Sequence, residues 1–199
     1  MSSDGNSVNI ENGKRPYHHG DLRAALVKAG LDLLETQSAE GLSLREVARQ
    51  VGVSPTAVYR HFPNKQSLLY ALCEHAADGL YAAQDAAMKA AGGGPAGFAA
   101  TGQAYVRYAL ANPSLFRLLM TTKPPTEMLD PDGTYVDAAM ALLRRNVASV
   151  LPPGAPADLH MAAVTLAWSQ VHGMAMLMLD GQIPPDERII SAIGRAAPF

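Results

Sequence analysis

The stretch Gly41–Phe62 reads GLSLREVARQVGVSPTAVYRHF. Ser43 opens Ser-Leu-Arg-Glu, a capping-box pattern in which the serine and Glu46 satisfy each other's backbone donors. Leu44, Val47 and Ala48 recur at helical spacing and point inward, leaving Arg45 and Arg49 to face outward. Val51-Gly52 ends this short helix, because glycine readily enters the left-handed conformation of a tight turn. Val53 plugs the space beyond it. Ser54 caps a second short helix with Pro55 at its first position, where a missing N–H costs nothing. Ala57 and Val58 are small and apolar enough to pack, so Thr56, Tyr59, Arg60 and His61 are left for the outward face. Pro63 stops the helix.

Neither helix is long enough to be stable alone, so the pair needs a third to cover it. Asp21 is suited to cap one that runs to about Gln37, with Leu22, Leu26, Ala29, Leu33 and Leu34 on one face. Beyond Pro63, Asn64 begins a further helix carrying Lys65 in its first turn, and a helix N-terminus beside a lysine suits a phosphate. Two capped short helices, a covering helix and a Tyr-Arg-His surface read as a helix-turn-helix module for DNA.

Composition agrees. Of 199 residues, 48% are hydrophobic and 17% charged, with abundant alanine, which fits packed helices. The net charge of −2 conceals a front balance of +3 over Lys14–Tyr70 and a back balance of −3 from Ala71 onward. A basic front suits a nucleic-acid reader joined to something that is not one. Cys73 is the one cysteine, which excludes an intrachain disulfide framework and a cysteine-rich zinc site. No uninterrupted run of 18 apolar residues occurs and the N-terminus is polar, so a soluble, cytoplasmic protein with no membrane partner is expected.

YHHGDLRAALVKAGLDLL followed by GLSLREVARQVGVSPTAVYRHFPNKQSLL resembles the N-terminal domain of the TetR/AcrR transcriptional regulators. The resemblance implies an all-helical homodimer on a partly palindromic double-stranded DNA operator, with a small-molecule effector that weakens binding from the C-terminal domain. The expected DNA-facing set is Lys14, Arg15, Ser43, Arg45, Ser54, Thr56, Ala57, Tyr59, Arg60, His61 and Lys65. Ser43, Tyr59, His61 and Lys65 are assigned mainly to phosphates, Thr56 and Arg60 to base edges. The lesser alternative for Tyr59 and His61 is to cover the core. Lys14 and Arg15 form a basic arm that either follows phosphates or the minor groove, or stays solvated.

The organisation expected is all-α: a disordered tail over 1–13, the helix-turn-helix domain over 14–63, a connecting helix over 64–90 and a C-terminal ligand-binding and dimerisation domain over 91–199. Within the last, AGGGPAG ends the connecting helix, and helices are expected from Phe98 to Ala111, over SLFRLLMTT, and from Thr134 to Leu151. Lys123–Gly133, with its prolines and acids, reads as a loop. Asp158 is placed to cap a long apolar helix to about Gly181, and Asp186 to begin a last one over 186–197. Trp168, His172 and Gly173 resemble the Trp-His-Gly subgroup of C-terminal domains in this family.

Phe98, Tyr105, Tyr108, Phe116, Met120, Met161, Trp168, His172 and Met176 are candidates for an effector pocket: Met adapts its shape, while Trp, Tyr and His each add an orienting polar group. All are also compatible with ordinary core. The resemblance further implies dimerisation through the last two helices, 158–181 and 186–197, where Ala162, Ala163, Ala167, Gly173 and Ala175 permit close approach, although small residues serve intrachain packing equally. No cofactor, metal site or catalytic residue is expected. His18 and His19 are adjacent, His160 and His172 lie twelve apart, and Cys73 and His75 point away from each other on a helix. The leading expectation is a repressor released by a small hydrophobic effector. Its rivals are a regulator with no effector and a helical assembly protein that does not bind DNA specifically.

Overall fold

The computed structural model describes residues 22–122 and 137–195. The tail over 1–13, the Lys14-Arg15 arm, Asp21, the segment 123–136 and the last four residues lie outside them. The described residues form nine α-helices and no strand: α1 (Leu22–Leu34), α2 (Leu44–Val51), α3 (Pro55–His61), α4 (Lys65–Ala90), α5 (Gly94–Ala111), α6 (Pro113–Thr121), α7 (Ala138–Val150), α8 (Ala157–Leu179) and α9 (Glu187–Ile190).

The short helices start and stop where local chemistry dictates. Ser43 Oγ accepts from Glu46 N at 3.2 Å, and Ser54 Oγ from Ala57 N at 3.3 Å. Gly52 turns α2 off in the left-handed region (φ 76°), and Val53 N–H returns to Ala48 O at 3.0 Å. The capping box expected at Ser43 forms on its serine side, while the Glu46 carboxylate takes Gln37 Nε2 at 3.1 Å and Arg49 at 3.5 Å. A reciprocal box forms instead at α4, between Asn64 and Ser67.

Several boundaries differ from those the sequence suggests. α1 ends at Leu34, where Thr36 and Gln37 N–H both bond Leu33 O in a closing turn. α5 begins at Gly94 rather than Phe98, since Pro95 fits a first helical turn. α7 begins after Asp137, whose Oδ1 accepts from Met140 N at 2.7 Å. α8 begins at Ala157, so Asp158 lies in its first turn instead of capping it. The last helix is the largest departure, because α9 spans four residues and not 186–197. Past it the chain turns onto α5: Gln103 Nε2 donates to Ser191 O and Ile193 O, both at 3.4 Å. Gly102 makes room there, since a Cβ on it would meet Ile193 and Val171 at 3.1 Å.

Burial divides into separate cores. The first gathers Leu26, Leu34, Leu42, Val47, Val58, Phe62, Leu68 and Leu72 around the helix-turn-helix, together with Leu118 of α6. The second contains Leu80, Tyr105, Val106, Phe116, Ala175, Met178 and Ile190, and a small third joins Val147, Val164 and Ala167. α4 contributes to the first two, which makes it the shared wall of the fold. α8 is, among the described residues, the one helix long and apolar enough by composition to cross a membrane. It packs instead along α5 and α7 through Val164, Ala167, Ala175 and Met178.

Candidate functional site

The DNA-facing candidates occupy the outer side of α2, α3 and the start of α4. Arg45, Thr56, Tyr59 and Arg60 are exposed, as are the capping serines Ser43 and Ser54, while His61 and Ala57 are half-buried. Val58 and Phe62 lie beneath them in the core. Lys65 is half-buried and its Nζ donates to Glu40 O at 2.7 Å, tying the start of α4 to the loop before α2. Arg23, which sequence reasoning passed over, stacks its guanidinium 5.4 Å from the Phe62 ring centroid. A separation of 39 residues hides that pairing from any local pattern.

A cavity of about 610 Å³ lies among α4, α5, α6, α7 and α8, within the usual size of a small-molecule site. Phe98, Tyr105, Met120 and Trp168 are on its wall. Phe116 sits behind Tyr105 in edge-to-face contact (centroids 5.4 Å apart). His172 is also set behind Tyr105, with its Nδ1 3.0 Å from the Tyr105 hydroxyl. Three other candidates are elsewhere. Tyr108 is wedged against Gly79 and donates to Ala76 O at 2.9 Å; Met176 packs in the second core; Met161 is 41% exposed on α8.

The polar groups on this wall are ordered. Trp168 Nε1–H donates to the Tyr105 hydroxyl at 3.2 Å. An indole can only donate, so the phenolic proton is free for either neighbouring acceptor, Met120 Sδ at 3.7 Å or His172 Nδ1 in the tautomer that leaves that nitrogen bare. Burial holds His172 below its ordinary pKa and pushes Tyr105 up to about 12. Trp168, Tyr105, His172 and Met120 thus form one hydrogen-bonded cluster.

Sequence reasoning missed the α4 side of the cavity: Tyr70, Cys73, Glu74 and Gln84. Gln84 left a trace, since it follows Leu72, Ala76 and Leu80 at four-residue spacing and so lies on an otherwise apolar stripe. α6 also faces two ways. Leu118 belongs to the helix-turn-helix core, whereas Leu119 and Met120 line the cavity.

Known proteins agree with this arrangement in both halves. Residues 26–72 match the family model "Bacterial regulatory proteins, tetR family", and residues 98–193 match "Tetracyclin repressor-like, C-terminal domain". A solved structure of a protein with unknown function from Rhodococcus sp. RHA1 is 32% identical, with a TM-score of 0.73 over 92% of this chain and 96% of that one. The tetracycline repressor protein class C of Escherichia coli is 44% identical over 52 residues, 26% of this chain and 24% of the repressor. An uncharacterized HTH-type transcriptional regulator of Haemophilus influenzae is 31% identical over 109 residues, 54% of this chain. The chain thus spans about a quarter (24%) and about half (53%) of the length of these two curated relatives. The chain belongs to the TetR family of bacterial regulatory proteins, with a helix-turn-helix DNA-binding module at its front.

Proposed function

We propose that this protein is a cytoplasmic transcriptional repressor that binds a palindromic operator as a homodimer and is released by a small hydrophobic effector. The observation that carries the reading is the double placement of α6, with Leu118 in the core of the DNA-binding module and Leu119 and Met120 on the cavity wall. A molecule filling the cavity presses on a helix that the module is packed against. α4 has the same double membership, so effector binding shifts the spacing of the two α3 helices of the dimer, which carry Thr56 and Arg60, through α4 and α6 together.

On this reading Ser43, Ser54 and Lys65 hold phosphates at helix N-termini, with Arg45, Tyr59 and His61 beside them and Ala57 close to the backbone. Thr56 and Arg60 reach base edges, and the Lys14-Arg15 arm follows the duplex. Phe98, Tyr105, Met120 and Trp168 contact the effector. The dimer forms across α8, whose outward Leu159, Leu166 and Leu177 are 47%, 58% and 47% exposed. Gly173 supports this: no described atom lies within 4 Å of where its Cβ would stand, so packing within the chain does not require a glycine there.

The test is a gel shift on DNA from the region upstream of the protein's own gene, across a range of salt. Sequence-specific binding that weakens steeply with salt is expected. Binding without sequence preference would sink the repressor reading.

A further inference from the structure

Two struts join the DNA-binding module to the rest of the described chain. One is α4, which runs unbroken from Leu68 and Leu72 in the first core to Leu80 in the second. The other is α6, which packs on α1 and α4 and places Leu118 in the first core and Phe116 in the second. Both are rooted on Tyr108 of α5. Its hydroxyl donates to Ala76 O of α4 at 2.9 Å. Its carbonyl accepts from the backbone N and from Nδ2 of Asn112, each at 3.0 Å, and Asn112 is where α5 ends and α6 begins.

The contact on α4 is shaped from both sides. Gly79 is the one glycine of α4, in a helix otherwise rich in alanine, although glycine favours helix less than any residue but proline. Its missing Cβ has a use here. A Cβ on residue 79 would lie 2.9 Å from the Tyr108 hydroxyl oxygen, 3.2 Å from Cε2 and 3.4 Å from Cζ. Without one, the phenol passes over Gly79 and reaches the carbonyl three residues earlier. Ala76 has no exposed surface, so water cannot take the place of the hydroxyl on that carbonyl. Ala76 and Gly79 lie between Leu72 and Leu80, where the module's half of α4 gives way to the other half.

We propose that Tyr108, seated on Gly79, fixes the angle of the DNA-binding module against the C-terminal domain and so sets the half-site spacing that the protein accepts, a role that rests on operator binding by a homodimer. Gly79 is about 21 Å from the start of α4 along the helix axis. A tilt of about 10° at Gly79 therefore carries Lys65 by about 4 Å, roughly the rise of one base pair. Tyr108 does not line the cavity and lies far from the outward face of α3, so it is a positioning residue that acts through α4 and α6.

The test is fluorescence anisotropy of the full chain on the operator from its own upstream region and on copies with one or two base pairs inserted between the half-sites. Each variant is measured at a temperature where circular dichroism shows it folded. The wild type is expected to prefer the native spacing about a hundredfold. Tyr108→Phe keeps the ring and removes the hydroxyl, and should cut that preference about tenfold. Gly79→Ala, whose Cβ displaces the phenol, should relax it as much. In the double variant the oxygen that the Cβ would strike is gone, so the preference should match that of Tyr108→Phe and fall no further. A part in stability alone would lower the melting temperatures and leave the spacing preference at the wild-type value. That result, or additive losses in the double variant, overturns the positioning role while operator binding stands. If the wild type itself shows no preference for spacing, binding of a dimer to paired half-sites fails, and the role of Tyr108 fails with it.

Discussion

Phe116 and Leu118, two residues apart on α6, are buried in different cores: Phe116 under Tyr105 and His172, Leu118 among the helices of the DNA-binding module. Residues at this spacing face opposite sides of a helix. α6 therefore has no face from which it can move without disturbing one core or the other.

Leu118→Ala removes a side chain that is 4% exposed and should destabilise the protein by about 2–5 kcal/mol. The sharper effect is on coupling. Effector should still quench or shift Trp168, yet release DNA less effectively than from the wild type. Parallel fluorescence titration and DNA-binding curves measure the two separately.

Gly52→Ala tests the turn alone. The residue sits at φ 76° and an added Cβ meets nothing within 4 Å, so the whole cost is backbone conformation. A loss of about 1–2 kcal/mol is expected by thermal or urea denaturation. Wild-type stability would show that the turn relaxes into another form.

Arg60→Ala and Lys65→Ala should separate base reading from phosphate holding. The first is expected to cost about 1–3 kcal/mol on the preferred operator and to relax specificity. The second should weaken all sequences alike and reduce the salt slope by about 1. Fluorescence anisotropy on matched and scrambled duplexes at several salt concentrations distinguishes them.

Buried Tyr105 and half-buried His172 contribute to opposite edges of a pH window. Tyr105 is raised in the folded state from 10.0 to about 12, so its contribution is complete below 10 and is lost as pH rises toward 12. His172 is lowered from 6.5 by burial, so the unfolded chain binds the proton first and stability falls as pH drops below 6.5. Denaturation midpoints should decline on both sides, and Tyr105→Phe should flatten the alkaline limb. An unchanged alkaline limb in that variant would remove Tyr105 as its cause.

Leu166→Glu places a charge on the exposed apolar face of α8, where the side chain is 58% exposed and carries little of the chain's own packing. Sedimentation should show a monomer with its helical content intact. A persistent dimer would move the interface away from this face.

Much of the front half was legible because its determinants are close in sequence. Ser43, Gly52, Ser54 and Pro55 act on backbone groups within three or four residues of themselves, so a reader needs only the neighbourhood. The apolar spacing of Leu22, Leu26, Ala29, Leu33 and Leu34 marks a buried face in the same way, and all but the half-buried Leu33 are buried. The back half was legible as helices and much less so as a site. Trp168 and Tyr105 were visible as residue types with something to offer a ligand, but so were Tyr108 and Met161, which went elsewhere.

The sequence by itself determined the all-helical class, the caps and turn of the DNA-binding module and the family, since each follows from short-range chemistry. Tertiary structure decided which side chains share the cavity, that Glu46 turns to Gln37, and that Lys65 reaches Glu40. It also cut the last helix to Glu187–Ile190, because Gln103 and the gap at Gly102 hold the following turn against α5. These contacts join positions far apart in the chain, and their energy depends on distances that folding alone creates.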